Sequence, residues 1–191
     1  MYKLLTVILT AFIISIGSVS ASYDTGQRVT RSAVAPLNPV ADSPEFAAQL
    51  RLQSARIAEI QRVLDTEFAA FKRKPSDLAT YVYHASKLND VPWRVLVNLM
   101  ARESGFRIDA RSKYGAIGIA QIVPRYWDTT ARNMLDYRNA VHKSAEIIAL
   151  YRKKCGGLRC ALHKYNVGEG SYRKGKRAPH YVAALMNKVN V

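Results

Sequence analysis

The spacing of the apolar residues is the feature that most constrains the fold of this chain. Every segment with a regular spacing has the periodicity of an α-helix. After Pro75, apolar positions recur at intervals of three and four residues, and no segment alternates convincingly as a strand does. Capping residues, glycines and prolines divide this pattern into short helices joined by turns. The sequence therefore predicts an all-α domain over residues 76–189.

A separate amphipathic helix is predicted upstream of this domain, over residues 43–73. Ser43 is a good capping residue and Pro44 suits the first helical turn. The apolar stripe that follows consists of Leu50, Ile57, Ile60, Leu64, Phe68 and Phe71. Residues 22–42 contain two prolines and no periodicity, which predicts a flexible leader.

The first 21 residues have the pattern of a secretory signal peptide. Lys3 gives a positive start, residues 4–16 are almost entirely apolar, and small residues follow at 19–21. The apolar run is shorter than the ~20 residues that a membrane helix needs. We therefore predict cleavage near Ser22, a periplasmic or cell-envelope location and no stable membrane span afterwards. An uncleaved membrane anchor is the alternative.

Export changes the interpretation of the two cysteines of the chain, Cys155 and Cys160. In an oxidising compartment, a pair at this spacing is expected to form a disulfide. Two reduced thiols are the alternative. The four histidines lack ligand spacing around this pair, so no metal site is predicted. No cofactor is predicted either.

The chain is strongly basic, with a net charge of +15 that is concentrated near its C-terminal end. Such a surface attracts polyanions, although a run of charge is also often a solvated face. Because an exported protein meets the cell wall, we predict an anionic envelope partner and no nucleic acid. The basic residues are Arg152, Lys153, Lys154, Arg159, Lys164, Arg173, Lys174, Lys176 and Arg177.

Glu103 is the first candidate for a catalytic residue. Its spacing from Leu96 and Leu99 places all three on one helix face, so a carboxylate stands where a leucine is expected. An ordinary Glu has a pKa near ~4.3 and is about 0.2% protonated at pH 7. In an apolar cleft the pKa rises to about 6, and roughly 10% is then protonated. Glu103 is therefore a candidate general acid, and an ion pair with a nearby arginine is the alternative.

Four motifs follow one another from this residue onwards. They are Glu-Ser-Gly-Phe at 103–106, Ala-Arg-Ser at 110–112 with Gly-Ala-Ile-Gly-Ile-Ala-Gln at 115–121 and Pro124, Tyr-Asn at 165–166 with Gly168 and Gly170, and Tyr-Val at 181–182. In this order and spacing they resemble the catalytic signature of the soluble lytic transglycosylases. These enzymes share a lysozyme-like fold with goose-type lysozyme. The resemblance covers roughly residues 76–189.

The resemblance implies a reaction and a role for Glu103. It implies cleavage of the bond between N-acetylmuramic acid and N-acetylglucosamine in peptidoglycan, with formation of a 1,6-anhydro end. Glu103 aligns with the single residue that acts first as acid and then as base. Ordinary glycosidases use two carboxyl groups. The acid closest after Glu103 is Asp109, to which the resemblance gives no role and which we interpret as a loop-capping residue.

The resemblance also implies substrate-binding residues. Ser112 aligns with a serine beside the catalytic Glu, and Gln121 aligns with a binding glutamine. Tyr165 is implied to hold the acid or the developing positive charge, while Asn166 binds sugar and Tyr181 adds a ring and a hydroxyl to the cleft. As alternatives, Ser112 and Asn166 are turn residues and Tyr181 is a core residue.

The chain departs from the family pattern near the second half of the site. Lys164 stands where the family has Ala, and Glu169 stands where it often has Pro. The small size resembles members that open the wall for secretion or conjugation machinery, which are therefore possible partners besides peptidoglycan strands. Two alternatives remain at this point: a goose-type lysozyme-like hydrolase and a non-catalytic wall-binding assembly protein.

Overall fold

Eight α-helices are found in residues 43–189, the part of the chain that the computed structural model describes. They are α1 (Pro44–Thr66), α2 (Leu78–Asn89), α3 (Trp93–Ser104), α4 (Ala131–Leu135), α5 (Tyr137–Cys155), α6 (Leu158–Val167), α7 (Glu169–Arg173) and α8 (Pro179–Leu185). A 3-10 turn at Pro124–Tyr126 precedes α4. Between 43 and 189 there is no β-strand, and two isolated bridges occur in the loop after α3. The all-α prediction is confirmed.

Helix α3 is the central helix of the domain. Its residues 95–100 are all buried, so the helix is enclosed on every side instead of presenting one apolar stripe. It packs against α2 and α8. The Asn98 side-chain amide donates to the carbonyl oxygens of Leu185 and Asn187, at 2.9 and 3.1 Å. This buried amide fastens the end of α8 to the centre of the domain.

A second group of helices packs around α5, which contacts α2 and α6. Cys155 is the last residue of α5 and forms a disulfide with Cys160 in α6. Gly156 lies between the helices with a φ of 78°, a left-handed conformation that favours glycine. The covalent link therefore closes the corner at which the chain reverses from α5 into α6.

Helix α1 packs on the domain through its C-terminal half. Ile60 and Leu64 are its buried residues, whereas Leu50 and Leu52 near its N-terminal end are 46% and 73% exposed. Ser43 caps the helix as expected, because its Oγ accepts a hydrogen bond from the backbone N–H of Phe46. Part of the predicted apolar stripe is therefore solvent-exposed.

The end of α1 differs from the prediction. The apolar spacing predicts helix to residue 73, but α1 ends at Thr66. Phe68 and Phe71 lie in turns and pack edge-on against Phe106, with ring centroids 5.5 and 5.4 Å away. The Lys74 ammonium donates to the carbonyl oxygens of Phe68 and Phe71, which holds the turns after α1 together.

A loop from Gly105 to Val123 follows α3 and carries much of the sequence signature. Gly105 ends α3 with a φ of 60°. Gly118 has a φ of 75°, and a Cβ atom there would lie 1.9 Å from the carbonyl oxygen of Met134. The loop therefore lies directly against α4, and glycine is required at Gly118 for steric reasons.

The predicted signal peptide (1–21) and flexible leader (22–42) lie outside the described residues. Within residues 43–189, no helix is both long enough and apolar enough to cross a lipid bilayer.

Candidate active site

Glu103 is joined to Tyr181 at the centre of the candidate site. Glu103 lies in the last turn of α3, and Tyr181 lies in α8 and is 7% exposed. The Tyr181 hydroxyl donates to Glu103 Oε1 at 2.5 Å. Oε2 of the same carboxyl makes no hydrogen bond to any residue between 43 and 189. Since every buried side-chain polar atom in this range has a partner, Oε2 retains access to solvent or substrate.

The surroundings of Glu103 favour its neutral form. Burial raises the pKa of its carboxyl above 4.5, whereas the hydrogen bond from Tyr181 and the charge of Arg102 oppose that rise. The net effect is a raised pKa, because desolvation is the largest of the three contributions. Glu103 therefore combines one oriented oxygen, one accessible oxygen and an increased protonated fraction, which a general acid requires.

Tyr165 stands beside this pair. Burial and then the Glu103 charge raise the pKa of the Tyr165 hydroxyl well above 10, so the residue is neutral. Its hydroxyl donates to the carbonyl oxygen of Ala120 at 2.9 Å. The resemblance implies that Tyr165 holds the acid, but the hydrogen bond to Glu103 comes from Tyr181. Tyr165 instead connects α6 to the loop that carries Gln121.

Gln121 takes part in the internal structure of that loop. Its Nε2 donates to the carbonyl oxygens of Ala110 and Gly118, at 3.3 and 3.1 Å. Its backbone adopts a left-handed conformation with a φ of 49°. The Oε1 atom makes no hydrogen bond within residues 43–189. The amide donors are thus used to shape the loop, and the acceptor remains available for an N–H or hydroxyl group.

A cavity of about 810 Å³ lies next to this group, between the loop around Gln121, the C-terminal half of α5 and the junction of α6 and α7. Gln121, Tyr165 and Asn166 are the predicted site residues on its wall, whereas Glu103, Ser112 and Tyr181 are not. A second depression, of about 760 Å³ between α1 and α3, contains none of the predicted site residues. The first cavity is therefore the candidate substrate cleft, and Tyr165 links it to Glu103.

The Ser112 hydroxyl makes its hydrogen bonds within its own loop. Its Oγ accepts hydrogen bonds from the backbone N–H groups of Tyr114 and Ala116, at 3.2 and 3.0 Å. Ser112 makes no hydrogen bond to Glu103. In this structure its hydroxyl stabilises a turn, which is the alternative that the sequence left open.

Ser104 makes a contact between the end of α3 and the following loop that the sequence did not predict. It is buried, and its Oγ donates to the carbonyl oxygen of Ile119 at 2.8 Å. This hydrogen bond joins the last turn of α3, where Glu103 lies, to the loop that carries Gln121. The signal in the sequence is its place next to Glu103 within the motif, which by itself does not reveal the distant partner.

The two departures from the family pattern meet in the cleft. The Lys164 ammonium lies 3.3 Å from Glu169 Oε1, and the Lys164 side chain is only 8% exposed. The same ammonium lies over the rings of Tyr151 and Tyr172, 5.6 and 5.5 Å from their centroids. The ion pair and the rings together compensate the burial of this charge. Tyr151 also packs against Trp127, so the cleft has an aromatic wall that the sequence motifs do not include.

The family model that describes the transglycosylase SLT domain matches residues 80–184, more than half of the chain. The protein belongs to the SLT domain family. The match extends from α2 into α8 and includes every predicted site residue, while α1 lies outside it. No curated protein matches the chain, and no solved structure does. Membership in the SLT family supports lytic transglycosylase-type activity on peptidoglycan in the cell envelope.

Proposed function

We propose that this SLT-domain protein cleaves the β-1,4 bond between N-acetylmuramic acid and N-acetylglucosamine and leaves a 1,6-anhydro-muramic end. The observation that carries this proposal is the state of Glu103. Its carboxyl is partly buried, has a raised pKa, and is held through one oxygen by Tyr181. The other oxygen makes no hydrogen bond within residues 43–189. This is the arrangement expected of a single group that gives up a proton and later accepts one.

In the first step, protonated Glu103 donates its proton to the oxygen of the glycosidic bond. The bond between that oxygen and the anomeric carbon breaks, and the N-acetylglucosamine fragment leaves as an alcohol. Positive charge develops on the muramic ring, while Glu103 becomes a carboxylate. The hydrogen bond from Tyr181 stabilises this carboxylate, because a donor favours the charged form of its acceptor.

In the second step, the Glu103 carboxylate accepts the proton of the muramic 6-hydroxyl. The oxygen of that hydroxyl forms a bond to the anomeric carbon, which closes the anhydro ring. Glu103 is protonated again at the end of the cycle, and no water is consumed. A second catalytic carboxylate is therefore not required, in contrast to the enzymes that use two.

The cleft residues have supporting roles in this proposal. Gln121 Oε1 accepts a hydrogen bond from an N-acetyl N–H or a hydroxyl group, and the exposed Asn166 side chain contacts sugar at the cleft edge. The rings of Trp127 and Tyr151 provide apolar faces for the sugars. Tyr165 fixes the loop through the carbonyl oxygen of Ala120 and does not donate a hydrogen bond to Glu103. The hydroxyl of Ser112 shapes the turn before Gly115.

We further propose that the protein acts in the periplasm after removal of its signal peptide. Its domain organisation is then a leader (22–42), the helix α1 (Pro44–Thr66) with the turns that follow it, and a catalytic domain (76–189). The disulfide between Cys155 and Cys160 is consistent with an oxidising compartment. The partnership with secretion or conjugation machinery stays a prediction based on size.

Mass spectrometry of products from purified sacculi tests the reaction. We expect anhydro ends, lighter by one water than reducing ends, from the wild type and none from Glu103→Gln. Asp109→Asn is the matched control, because it removes an exposed carboxylate from the adjacent loop and should leave the products unchanged. Reducing ends would indicate a hydrolase. The absence of any product from the wild type would favour a wall-binding protein, and full activity of Glu103→Gln would exclude Glu103 as the acid.

A further inference from the structure

The charges on the wall of the cleft do not balance. The lysine, arginine and acidic side chains that line it are Arg125, Lys154, Lys164 and Glu169. Lys164 and Glu169 form an ion pair, so their charges compensate each other inside the cleft. Arg125 and Lys154 have no carboxylate within 4 Å among residues 43–189. Two uncompensated positive charges therefore face the cavity.

These two cations lie at the edge of the cleft. Arg125 and Lys154 are both exposed, whereas Lys164 and Tyr151 are buried and form the floor. The Arg125 guanidinium lies over the Tyr126 ring, 4.8 Å from its centroid, and donates to the Tyr126 hydroxyl at 2.9 Å. This contact uses one donor and limits the motion of the side chain, which leaves the remaining donors for an anion. Lys154 lies in the last turn of α5.

The chemistry of a peptidoglycan strand offers a match for this arrangement. Its sugar hydroxyls and N-acetyl groups are neutral and are recognised by groups such as Gln121 and aromatic rings. The negative charge resides on carboxylates, chiefly those of the stem peptides. Because a stem peptide projects away from the sugar ring, its carboxylates reach the exposed edge of the cleft and not its floor. Cations at the edge of the cleft are therefore placed to bind the carboxylates of the peptide, and they contribute little to the binding of the sugars.

We propose that Arg125 and Lys154 form a carboxylate-binding subsite for the stem peptide, so that the cleft prefers peptide-bearing glycan strands to peptide-free ones. The inference rests on the proposed function, which supplies peptidoglycan as the substrate. It adds a preference among peptidoglycan strands and assigns two residues to it. Neither residue belongs to the sequence motifs of the family resemblance.

The expected size of the effect follows from the exposure of the two side chains. An exposed ion pair changes binding by about two- to fivefold, so removal of both cations should weaken binding by roughly tenfold. Salt should reduce the effect, because the Debye length falls from about 10 Å at 0.1 M to about 3 Å at 1 M ionic strength.

A binding assay with soluble, fluorescently labelled strands tests the subsite. The full chain carries Glu103→Gln to suppress turnover, and it is compared with the same chain carrying Arg125→Gln and Lys154→Gln. The matched control carries Arg132→Gln and Lys153→Gln, which remove the same charge from exposed residues that are absent from the cleft wall. The ligands are peptide-bearing strands, strands stripped by an amidase, which keep the lactyl carboxylate, and chitooligosaccharide, which has no carboxylate.

We expect the cleft variant to lose about tenfold in affinity for peptide-bearing strands and little for the other two ligands, with the loss disappearing at high salt. The matched control should bind all three ligands as the parent does. An equal loss for stripped strands would assign the cations to the lactyl group and overturn the proposal. An equal loss in the matched control would reveal a general charge effect and also overturn it, as would no loss at all. Product analysis of the wild type tests the cleavage reaction separately, so the two failures are distinguishable.

Discussion

The substitution Tyr181→Phe should move the pH dependence of activity in a defined direction. It removes only the hydroxyl that donates to Glu103 Oε1 at 2.5 Å and leaves the buried ring in place. That hydrogen bond lowers the pKa of Glu103, while burial raises it. Without the bond, burial acts unopposed by Tyr181 and the pKa of Glu103 rises further. The first step of the proposed reaction needs protonated Glu103, so activity should fall as pH rises through this pKa. In the variant, this fall should occur at higher pH.

The magnitude follows from the strength of a hydrogen bond to a charged group. Such a bond contributes about 1.5 to 3 kcal/mol. One pKa unit corresponds to about 1.4 kcal/mol, so the shift should be about one to two units. The maximal rate should also decrease, since the carboxylate formed in the first step loses its donor. The variant therefore has a lower maximum but a profile that extends to higher pH.

The assay is the pH profile of kcat/KM on soluble peptidoglycan strands, which reports the ionisation of the free enzyme. Tyr165→Phe is a matched control, because its hydroxyl binds the carbonyl oxygen of Ala120 and not the carboxyl. The alkaline limb of the pH profile, where activity falls, should shift less in Tyr165→Phe than in Tyr181→Phe. Tyr83→Phe in α2 controls for loss of a tyrosine hydroxyl outside the candidate site. If the alkaline limb of the pH profile is unchanged in Tyr181→Phe, or shifts to lower pH, the Tyr181 hydrogen bond does not lower the pKa of Glu103.

Three further predictions concern stability. The pKa of Glu103 is raised in the folded state, so its contribution to the free energy of unfolding is present below pH 4.5 and is lost as pH rises through the folded-state pKa. Glu103→Gln should therefore be more stable than the wild type at pH 8, by roughly 1.4 kcal/mol per unit of pKa shift, and not at pH 4, as measured by urea unfolding. Gly118→Ala should cost roughly 3 kcal/mol in the same assay, from backbone overlap and left-handed strain, whereas Gly115→Ala, which meets no atom within 4 Å, should cost only about 1 to 2 kcal/mol. Equal costs would contradict the steric argument. Replacement of Cys155 and Cys160 by alanine should lower the free energy of unfolding by about 2 kcal/mol, the loop-closure value for so short a loop, and a loss above 4 kcal/mol would contradict that account.

The helices were predictable because their signals are local. Apolar spacing, capping residues and prolines act within a few residues, so the sequence predicted an all-α domain and a separate helix that begins at Ser43. The end of α1 was not predictable in this way. Phe68 and Phe71 continue the spacing of the stripe, but they pack on Phe106, which lies more than thirty residues further along the chain. A tertiary contact, which leaves no local pattern, ends the helix at Thr66.

In the candidate site, too, local features were predictable from the sequence and contacts between distant residues were not. The position of Glu103 at the end of α3 follows from spacing, and the raised pKa was expected from its apolar surroundings. The partners of the polar side chains were harder to predict, because they are distant backbone atoms. Tyr165 donates to a carbonyl oxygen 45 residues away, and Tyr181 is the residue that donates to Glu103. The ion pair between Lys164 and Glu169 could have been predicted from the sequence, because both residues depart from the family pattern within one short segment.

The bond between Glu103 and Tyr181 spans 78 residues of sequence, from the middle of the domain to its last helix. A lytic enzyme is dangerous to the cell that makes it, and the proposed acid Glu103 acquires its hydrogen-bond donor only when α8 has packed onto the domain. While synthesis or export is incomplete, the chain carries Glu103 without the group that orients it. In the proposed mechanism, the order in which the polypeptide emerges would therefore delay full activity until α8 has packed onto the domain.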